Sequence, residues 1–569
     1  MYKQALEQEL RRAISNLGFN PLTDIVLSIS ESPKFGDYTS NVALQLAKQK
    51  LKKTYHSSLE IANDILENFK HPPFLKEIQI AGPGFLNFFL KEESLLEILK
   101  AEYPKKEAVQ KRYIVEYADP NTHKAFHIGH LRTLAIGESV SRLLEFEGNE
   151  VFRVNYGSDV GLSVAKALWG IEKLKDHYQK AKKLSLRQKA EFLGEAYAYG
   201  HDKYETDESA KKEIDEITKQ LYQRDKAILP LWKETKEWSL AYFDSIYSRT
   251  GTEFDRRVNE SEVDQLGKQI VLENIGKVFK KDQGAIIFEG EKYGLHNRVF
   301  INSVGNPTYE AKDIGLIELY EQIFPFDKAI ILSDVTQASY HQVVKKAIEL
   351  IHPHLTDRRH HLSFGFVSLV TGKMSSRTGN IITADSLIDQ VIEEIKDSYP
   401  NSKNLTEASL NLIAVAAIKF SYLKYSISSD ISLDIKQSIS LQGDSGPYLL
   451  YAYARINSIL NRAKKIKARK EKVDLETKLI AQTLEDEERE VLRSLEYFEI
   501  VVGKATQRYQ PNEVANFLLN LAKSFNLFYE KYPVLGSDKE KFRLDLSKRV
   551  AETIKIGLNL LGIETVEKM

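Results

Sequence analysis

The stretch from Val115 to Gly137, VEYADPNTHKAFHIGHLRTLAIG, constrains this chain more than any other. A short apolar strand, Tyr113-Ile114-Val115, runs into a turn at Pro120-Asn121. The turn delivers two histidines around a glycine, His127-Ile128-Gly129-His130, to the mouth of a helix. Strand, turn and helix opening together place an anion at a helix N-terminus, where free backbone N–H groups and the helix dipole favour a phosphate. A second strand, Val151 to Tyr156, follows the helix Leu131 to Glu147. Two strands joined by a helix make a βαβ unit, hence a parallel sheet.

The rest of the chain is too long to serve that spot alone. A length of 569 residues predicts several domains. Residues 1–108 read as a compact α+β module. It has an amphipathic helix from Tyr2 to Leu17 and two strands around Gly82-Pro83-Gly84. Residues 109–381 read as a Rossmann-type parallel-sheet domain, interrupted over about 171–280 by charged helices carried as an insertion. Strand signals return at 284–289, 298–301 and 329–333, with a helix opening near Tyr309. From 382 to 569 the pattern is helical almost throughout, an all-α bundle. The fold class expected is therefore α/β, with an N-terminal α+β module and a C-terminal all-α bundle.

Composition narrows the partners. Formal net charge is zero, so nucleic acid must be held by local basic patches rather than by a global field. There is no cysteine, which removes disulfides and thiolate metal sites and suits a reducing compartment. The N-terminal stretch lacks an apolar signal core, and no apolar run approaches the ~18 residues of a spanning helix. A soluble cytoplasmic protein, away from membranes, is expected.

The pair His127 and His130 is weak on its own. It could be half a zinc site, but no third ligand of suitable spacing stands near it. The glycine between them permits close backbone approach to a ligand. Some 240 residues later, Lys373-Met374-Ser375-Ser376-Arg377 supplies hydroxyls and cations of the kind that clamp phosphates. Two such elements imply a nucleoside triphosphate held across a sheet at a topological switch point.

His127-Ile128-Gly129-His130 and Lys373-Met374-Ser375-Ser376-Arg377 resemble the two signatures of class I aminoacyl-tRNA synthetases. Longer strings narrow the resemblance: Val115-Glu116-Tyr117 to Pro120-Asn121 with Lys124, Gly446-Pro447-Tyr448-Leu449-Leu450-Tyr451-Ala452-Tyr453-Ala454-Arg455, and Gly82 to Asn87. They are similar to arginyl-tRNA synthetases of the bacterial type, in order along essentially the whole chain.

The resemblance implies ligation of L-arginine to its tRNA through an arginyl-adenylate made from ATP. It implies ATP contacts at His127, Gly129, His130, Met374, Ser375 and Ser376, with Lys124 and Lys373 as catalytic cations. Ser376 stands where the class usually has a second lysine, and Lys124 is its expected replacement. It further implies an arginine pocket of Glu116, Asn121, Tyr309, Asp313 and Gln337. The chemistry agrees, because a guanidinium needs carboxylates and amide oxygens in a planar arrangement. Phe85 and Asn87 match positions that touch the tRNA D-loop. Tyr448, Tyr451 and Arg455, spaced for one helix face, suit unpaired anticodon bases, with Tyr529 and Met569 beside them. Core packing is the plainer reading of Phe85 and of the two tyrosines. Mg2+ is expected to accompany ATP, with no dedicated protein ligand set visible, and the chain is expected to be a monomer. Two other readings are a small-molecule adenylyltransferase and a silent tRNA-binding paralogue. The long helical tail disfavours the first, and the intact amino-acid pocket disfavours the second.

Overall fold

The computed structural model describes residues 2–20, 27–30, 32–49, 55–103, 110–370, 382–469, 484–567 and 569. The whole second signature, including Lys373, Met374, Ser375 and Ser376, lies outside the described residues, as does Lys568. Packing divides the chain into two compact units that do not follow chain order. One comprises Met1–Pro104, Ala452–Val502 and Phe517–Ile554; the other comprises Lys105–Tyr451, Gly503–Asn516 and Lys555–Met569.

The second unit is built on five parallel strands: Arg112–Glu116, Glu150–Gly157, Arg256–Asn259, Lys328–Asp334 and Arg359–Phe364. Numbered along the chain, their spatial order is 3-2-1-4-5. This is the Rossmann order, which reverses between Arg112–Glu116 and Lys328–Asp334, where ligands bind beyond the strand C-termini. The helix Ile128–Phe146 supplies the crossover that joins the first two parallel strands. Arg359 opens an edge strand and pairs in register with Ala329.

The insertion expected over 171–280 is shorter than its charge pattern implied. Its helices run from Leu162–Lys173 to Leu229–Thr250 around their own core of Val164, Leu168, Phe192, Leu193, Ile214 and Leu221. The chain then returns to the main sheet as the strand Arg256–Asn259, too short for a periodic signal to show. The helix Glu260–Glu273 that follows packs tightly on the helix Tyr309–Ile323. A Cβ on Gly267 would sit 1.9 Å from the Ala311 carbonyl oxygen, and one on Gly315 would sit 2.4 Å from that of Val263. Two glycines therefore let these helices touch backbone to backbone. Ala285–Phe288 and Arg298–Ile301 join Lys280–Asp282 in a separate antiparallel sheet rather than extending the parallel one. Val367–Leu369 pairs in parallel with Ile431–Leu433, a short strand inside the stretch read as helical almost throughout.

In the first unit the N-terminal strands form an antiparallel sheet in the order Leu27–Ile29, Tyr38–Ser40, Phe85–Leu90, Leu75–Ala81. The helices Tyr2–Asn16 and Ser58–Asn68 supply apolar stripes (Leu6, Leu10; Ile61, Ile65) to its core, where Phe88 is fully buried. Asp37 binds the helix Asp486–Arg508 of the same unit through Arg489 and Arg493, at 2.8 and 3.0 Å.

Candidate functional site

The loop leaving Glu116 is held in a conformation that non-glycine residues avoid. Ala118, Asp119 and His123 have φ of 78°, 31° and 63°. Such values cost about 1–3 kcal/mol each unless the surroundings over-determine them. Here they do. Tyr117 N donates to Val154 O at 3.1 Å and Thr122 N to Ser158 O at 2.9 Å. Tyr156 N donates to Asp119 Oδ1 at 3.1 Å, and His123 N to Ser239 Oγ at 2.9 Å. The His123 ring is fully buried and bridges Thr122 Oγ1 and Thr235 Oγ1, at 3.0 and 2.8 Å. Burial brings its pKa down to about 4, so it is a neutral strut.

The loop ends at the two histidines. His127 caps the helix: Gly129 N donates to its Nδ1 at 3.1 Å, while His127 N donates to His130 Nδ1 at 3.1 Å. The two rings stack, centroids 3.8 Å apart and 16° from parallel. A Cβ on residue 129 would lie 2.9 Å from His127 Cε1, so this glycine makes room for the His127 ring. Burial lowers both imidazole pKa values, His127 to about 4 and His130 well below the usual imidazole value, with the neighbouring Lys124 adding to the effect. With each Nδ1 accepting a backbone N–H, each neutral ring carries its proton on Nε2. The first described residues after the second signature pair with this turn: Ile128 N donates to Ile382 O at 3.2 Å and Ala384 N to Phe126 O at 2.8 Å.

Lys124 is half-buried, with its Nζ 4.7 Å from the centre of the Tyr197 ring. Burial lowers its pKa and Glu260 opposes that shift. Glu260 itself is committed to Lys312, at 2.6 Å between side chains each 3% exposed. Burial works against the Lys312 charge, but Glu260, with Tyr222 and Tyr309, more than restores it.

The five residues read as an arginine pocket fall into two groups. Glu116 and Asp313 are buried. Glu116 Oε2 accepts from Tyr320 Oη at 2.8 Å. Burial, then the nearby Asp313 charge, pushes its pKa up to about 7, against Arg359 and the Tyr320 hydroxyl. Burial also raises Asp313, while Arg359, at 2.8 Å from its Oδ2, acts the other way. Asp119 is a third carboxyl beside them, half-buried, its pKa raised by desolvation and then by Glu116. The other group is more accessible. Asn121 is half-buried, and Tyr309, first residue of its helix, is 56% exposed. Gln337 is exposed in the short turn Val335–Gln337 beyond the strand Lys328–Asp334. Sequence reading had not singled out Asp119, Tyr320 or Arg359. Tyr320 lies 204 residues from Glu116 and Arg359 lies 46 from Asp313, so no spacing rule connects them.

Among the tRNA candidates, Phe85 is partly exposed, whereas Asn87 is buried with its Oδ1 accepting from Thr39 Oγ1 at 2.8 Å. Tyr448, Tyr451 and Arg455 share the helix Gly446–Arg469. Tyr448 is nearly buried and Tyr451 is exposed. The Arg455 guanidinium stacks on Tyr529, 4.6 Å from the ring centre. Met569 is half-buried.

Comparison with known proteins accords with this arrangement. The family model for the catalytic domain of class I tRNA synthetases (R) matches residues 93–434. The DALR anticodon binding domain matches 449–569 and the arginyl tRNA synthetase N terminal domain matches 3–90. The chain is 31% identical over 512 residues to an arginine–tRNA ligase of Borrelia hermsii, covering 86% of each. It is 30% identical over 569 residues to one of Clostridium perfringens, covering 96% of each. The structure titled Thermus thermophilus arginyl-tRNA synthetase superposes with a TM-score of 0.82 over 100% of both chains at 24% identity, a likeness of fold.

Proposed function

This chain belongs to the arginyl-tRNA synthetases, and from that premise we propose how its residues divide the work of the reaction. The enzyme ligates L-arginine to its tRNA in two steps, with ATP as the energy source. The arginine carboxylate attacks the α-phosphorus of ATP and expels pyrophosphate. The terminal ribose hydroxyl of the tRNA then attacks the arginyl-adenylate and releases AMP.

The stacked, neutral histidines carry the ATP half of the reading. Each keeps an Nε2–H donor beside a helix N-terminus, and such preorganised donors stabilise the charge that develops on a transferring phosphate. His127, Gly129 and His130 hold the nucleotide with Met374, Ser375 and Ser376. Lys124 and Lys373 supply the cations, Lys124 taking the part of the lysine that Ser376 replaces. Magnesium arrives on the ATP phosphates. Among the described residues no group of three or more His, Asp or Glu side chains is arranged to hold a metal, so no step is assigned to a protein-held ion.

Glu116 and Asp313 bind the substrate guanidinium, with Asn121, Tyr309 and Gln337 around it. Buried carboxylates left unpaired by a shorter or neutral side chain discriminate by roughly 10⁴-fold or more. Residues 1–108 serve as a tRNA-recognition module through Phe85 and Asn87, 109–381 as the catalytic domain, and 382–569 as the anticodon-binding domain. Tyr448, Tyr451, Arg455, Tyr529 and Met569 are its proposed contacts. The enzyme works as a monomer in the cytoplasm; among the described residues no helix is long and apolar enough to cross a membrane. The test is aminoacylation of tRNA with labelled arginine, against lysine and glutamine. Incorporation of arginine alone is the expected result, and absence of incorporation with intact tRNA binding would mark a silent binder.

A further inference from the structure

Arg359 already occupies one side of the carboxylate assigned to the substrate. Its Nη2 lies 2.8 Å from Asp313 Oδ2 and 3.1 Å from His341 Nδ1, and its side chain is only 6% exposed. An arginine nitrogen can only donate, so His341 Nδ1 accepts and the neutral ring carries its proton on Nε2. That Nε2 faces Ser333 Oγ at 2.8 Å, and the same hydroxyl lies 2.7 Å from His361 Nε2. The two imidazoles stack with centroids 4.1 Å apart. Burial, then Arg359 itself, lowers the pKa of both, His361 to about 4. The guanidinium is thus braced from behind by uncharged groups and pairs directly with the Asp313 carboxylate.

We infer that Arg359 is a positioning residue of the arginine pocket, fixing Asp313 in the orientation and charge state that receives the substrate guanidinium. The inference rests on the reading of Asp313 as an arginine ligand. The charges around Asp313 explain why such a residue is needed. Glu116 and Asp119 lie at the end of the strand Arg112–Glu116 and in the loop beyond it, and both sense the Asp313 charge. Tyr156 faces it from the strand Glu150–Gly157, Tyr340 from the helix Ala338–Ile351 as a hydrogen-bond partner, and Tyr320 from its own helix. On its own helix, Glu310 is paired with Arg298 at 3.2 Å and Lys312 is paired with Glu260. Two buried carboxyls, Glu116 and Asp313, therefore share the Arg359 charge, with the half-buried Asp119 beside them. Without it, burial beside other acids would push the Asp313 pKa further toward the neutral form, and a neutral acid binds a guanidinium poorly. Arg359 opposes the upward shift that burial imposes and favours the charged form of Asp313, and two of its roughly four lone-pair sites remain for the substrate.

The experiment is calorimetric titration of the full chain with L-arginine at pH 6, 7 and 8, comparing wild type, Arg359→Met and Asp313→Asn. For Arg359→Met the arginine Kd should exceed that of wild type by about tenfold or more at pH 6, since an opposite charge at this range shifts a carboxyl by ~1–3 pH units. The ratio of the two Kd values should shrink as pH rises and Asp313 ionises unaided, while the ATP Kd stays within twofold. A ratio that stays constant across pH, or that stays at unity, overturns the inference. Asp313→Asn separates this from failure of the underlying site reading: normal arginine binding in Asp313→Asn would remove Asp313 from the pocket. Should Arg359→Met not fold, Arg359→Gln, which keeps a donor and loses the charge, carries the same expectation.

Discussion

Arg132, five residues beyond His127, offers a prediction whose size can be worked from the structure. It is fully buried, and burial brings its pKa down to about 10, so it remains charged at neutral pH. Nη1 donates to the carbonyls of Gly365 and Phe366 at 2.6 and 2.7 Å, and Nη2 to those of Ile427 and Ser429 at 2.9 and 2.6 Å. These bonds tie the signature helix to the turns that lead into the paired strands Val367–Leu369 and Ile431–Leu433. Arg132→Met removes all four. Ile427 O would keep Gly365 N, at 3.1 Å, and Phe366 O would keep Ile431 N, at 2.8 Å. Ser429 is exposed and its carbonyl can take water. Gly365 is buried and its carbonyl loses the guanidinium. An orphaned buried carbonyl costs about 1–3 kcal/mol, and each lost second bond about 0.5–1.5 kcal/mol. Relief from no longer burying a cation without a carboxylate works against this. The expected local loss is about 2–4 kcal/mol, or ~30-fold to ~1000-fold faster opening. Hydrogen exchange should show that acceleration at the amides of Gly365, Val370 and Ile431, with the strand Glu150–Gly157 unchanged. Acceleration below threefold, or spread evenly over the whole sheet, would refute the reasoning. Arg132→Lys, with three donors and no fork, should fall between the two.

Lys124→Ala should depress arginine-dependent pyrophosphate exchange far more than Lys373→Ala, by about 10²-fold or more if Lys124 stabilises the transferring phosphate; equal losses would sink that assignment. Exchange should be run with and without tRNA, since the family's arginine activation typically requires it. Glu116, pushed up to about 7, is mostly protonated at pH 6 and mostly ionised at pH 8. A guanidinium prefers the ionised form, so the arginine KM should fall about tenfold between these pH values; Glu116→Gln should raise KM and flatten the profile, and a flat wild-type profile would contradict the assignment. Arg455→Ala, which removes the guanidinium from Tyr529, should raise the tRNA KM while the ATP and arginine KM stay within twofold; an unchanged tRNA KM returns that helix face to packing alone.

The elements with strong local periodicity were legible in the sequence. The strand ending at Glu116, the signature helix and the long C-terminal helices stand where their patterns place them, within a few residues. Short elements were not. Arg256–Asn259 has four residues, too few for alternation to register, yet it completes the main sheet and shortens the helical insertion. The compact units were also hidden, because the helix Gly446–Arg469 passes from one to the other without a break in its pattern. At the site, the motif residues of the described chain could be named from sequence, but their partners could not. Lys312–Glu260, Asp313–Arg359 and Glu116–Tyr320 join residues distant in sequence on different elements, and only the fold brings them together.

The structure also gives the helical insertion a task that its composition concealed. Its charge runs read as solvated faces or as an RNA contact. Its last helix, Leu229–Thr250, instead supplies Thr235 to the His123 ring and Ser239 to the His123 amide. Lys236 of the same helix binds Asp159 at 2.7 Å, and Asp159 also accepts from Ser261 N at 2.9 Å. These contacts brace the segment with positive φ that carries Asn121, Lys124 and His127. A loop of ordinary conformation could rest on the sheet alone. One with three strained residues needs partners on a second side, because each released bond would let the backbone relax toward commoner angles. Catalysis by positioned donors depends on their being fixed before the substrate arrives. The insertion is therefore part of the scaffold of the loop that carries the two histidines, and on the nucleotide role proposed for that loop, substitutions at Thr235 or Ser239 should lower activity through His123.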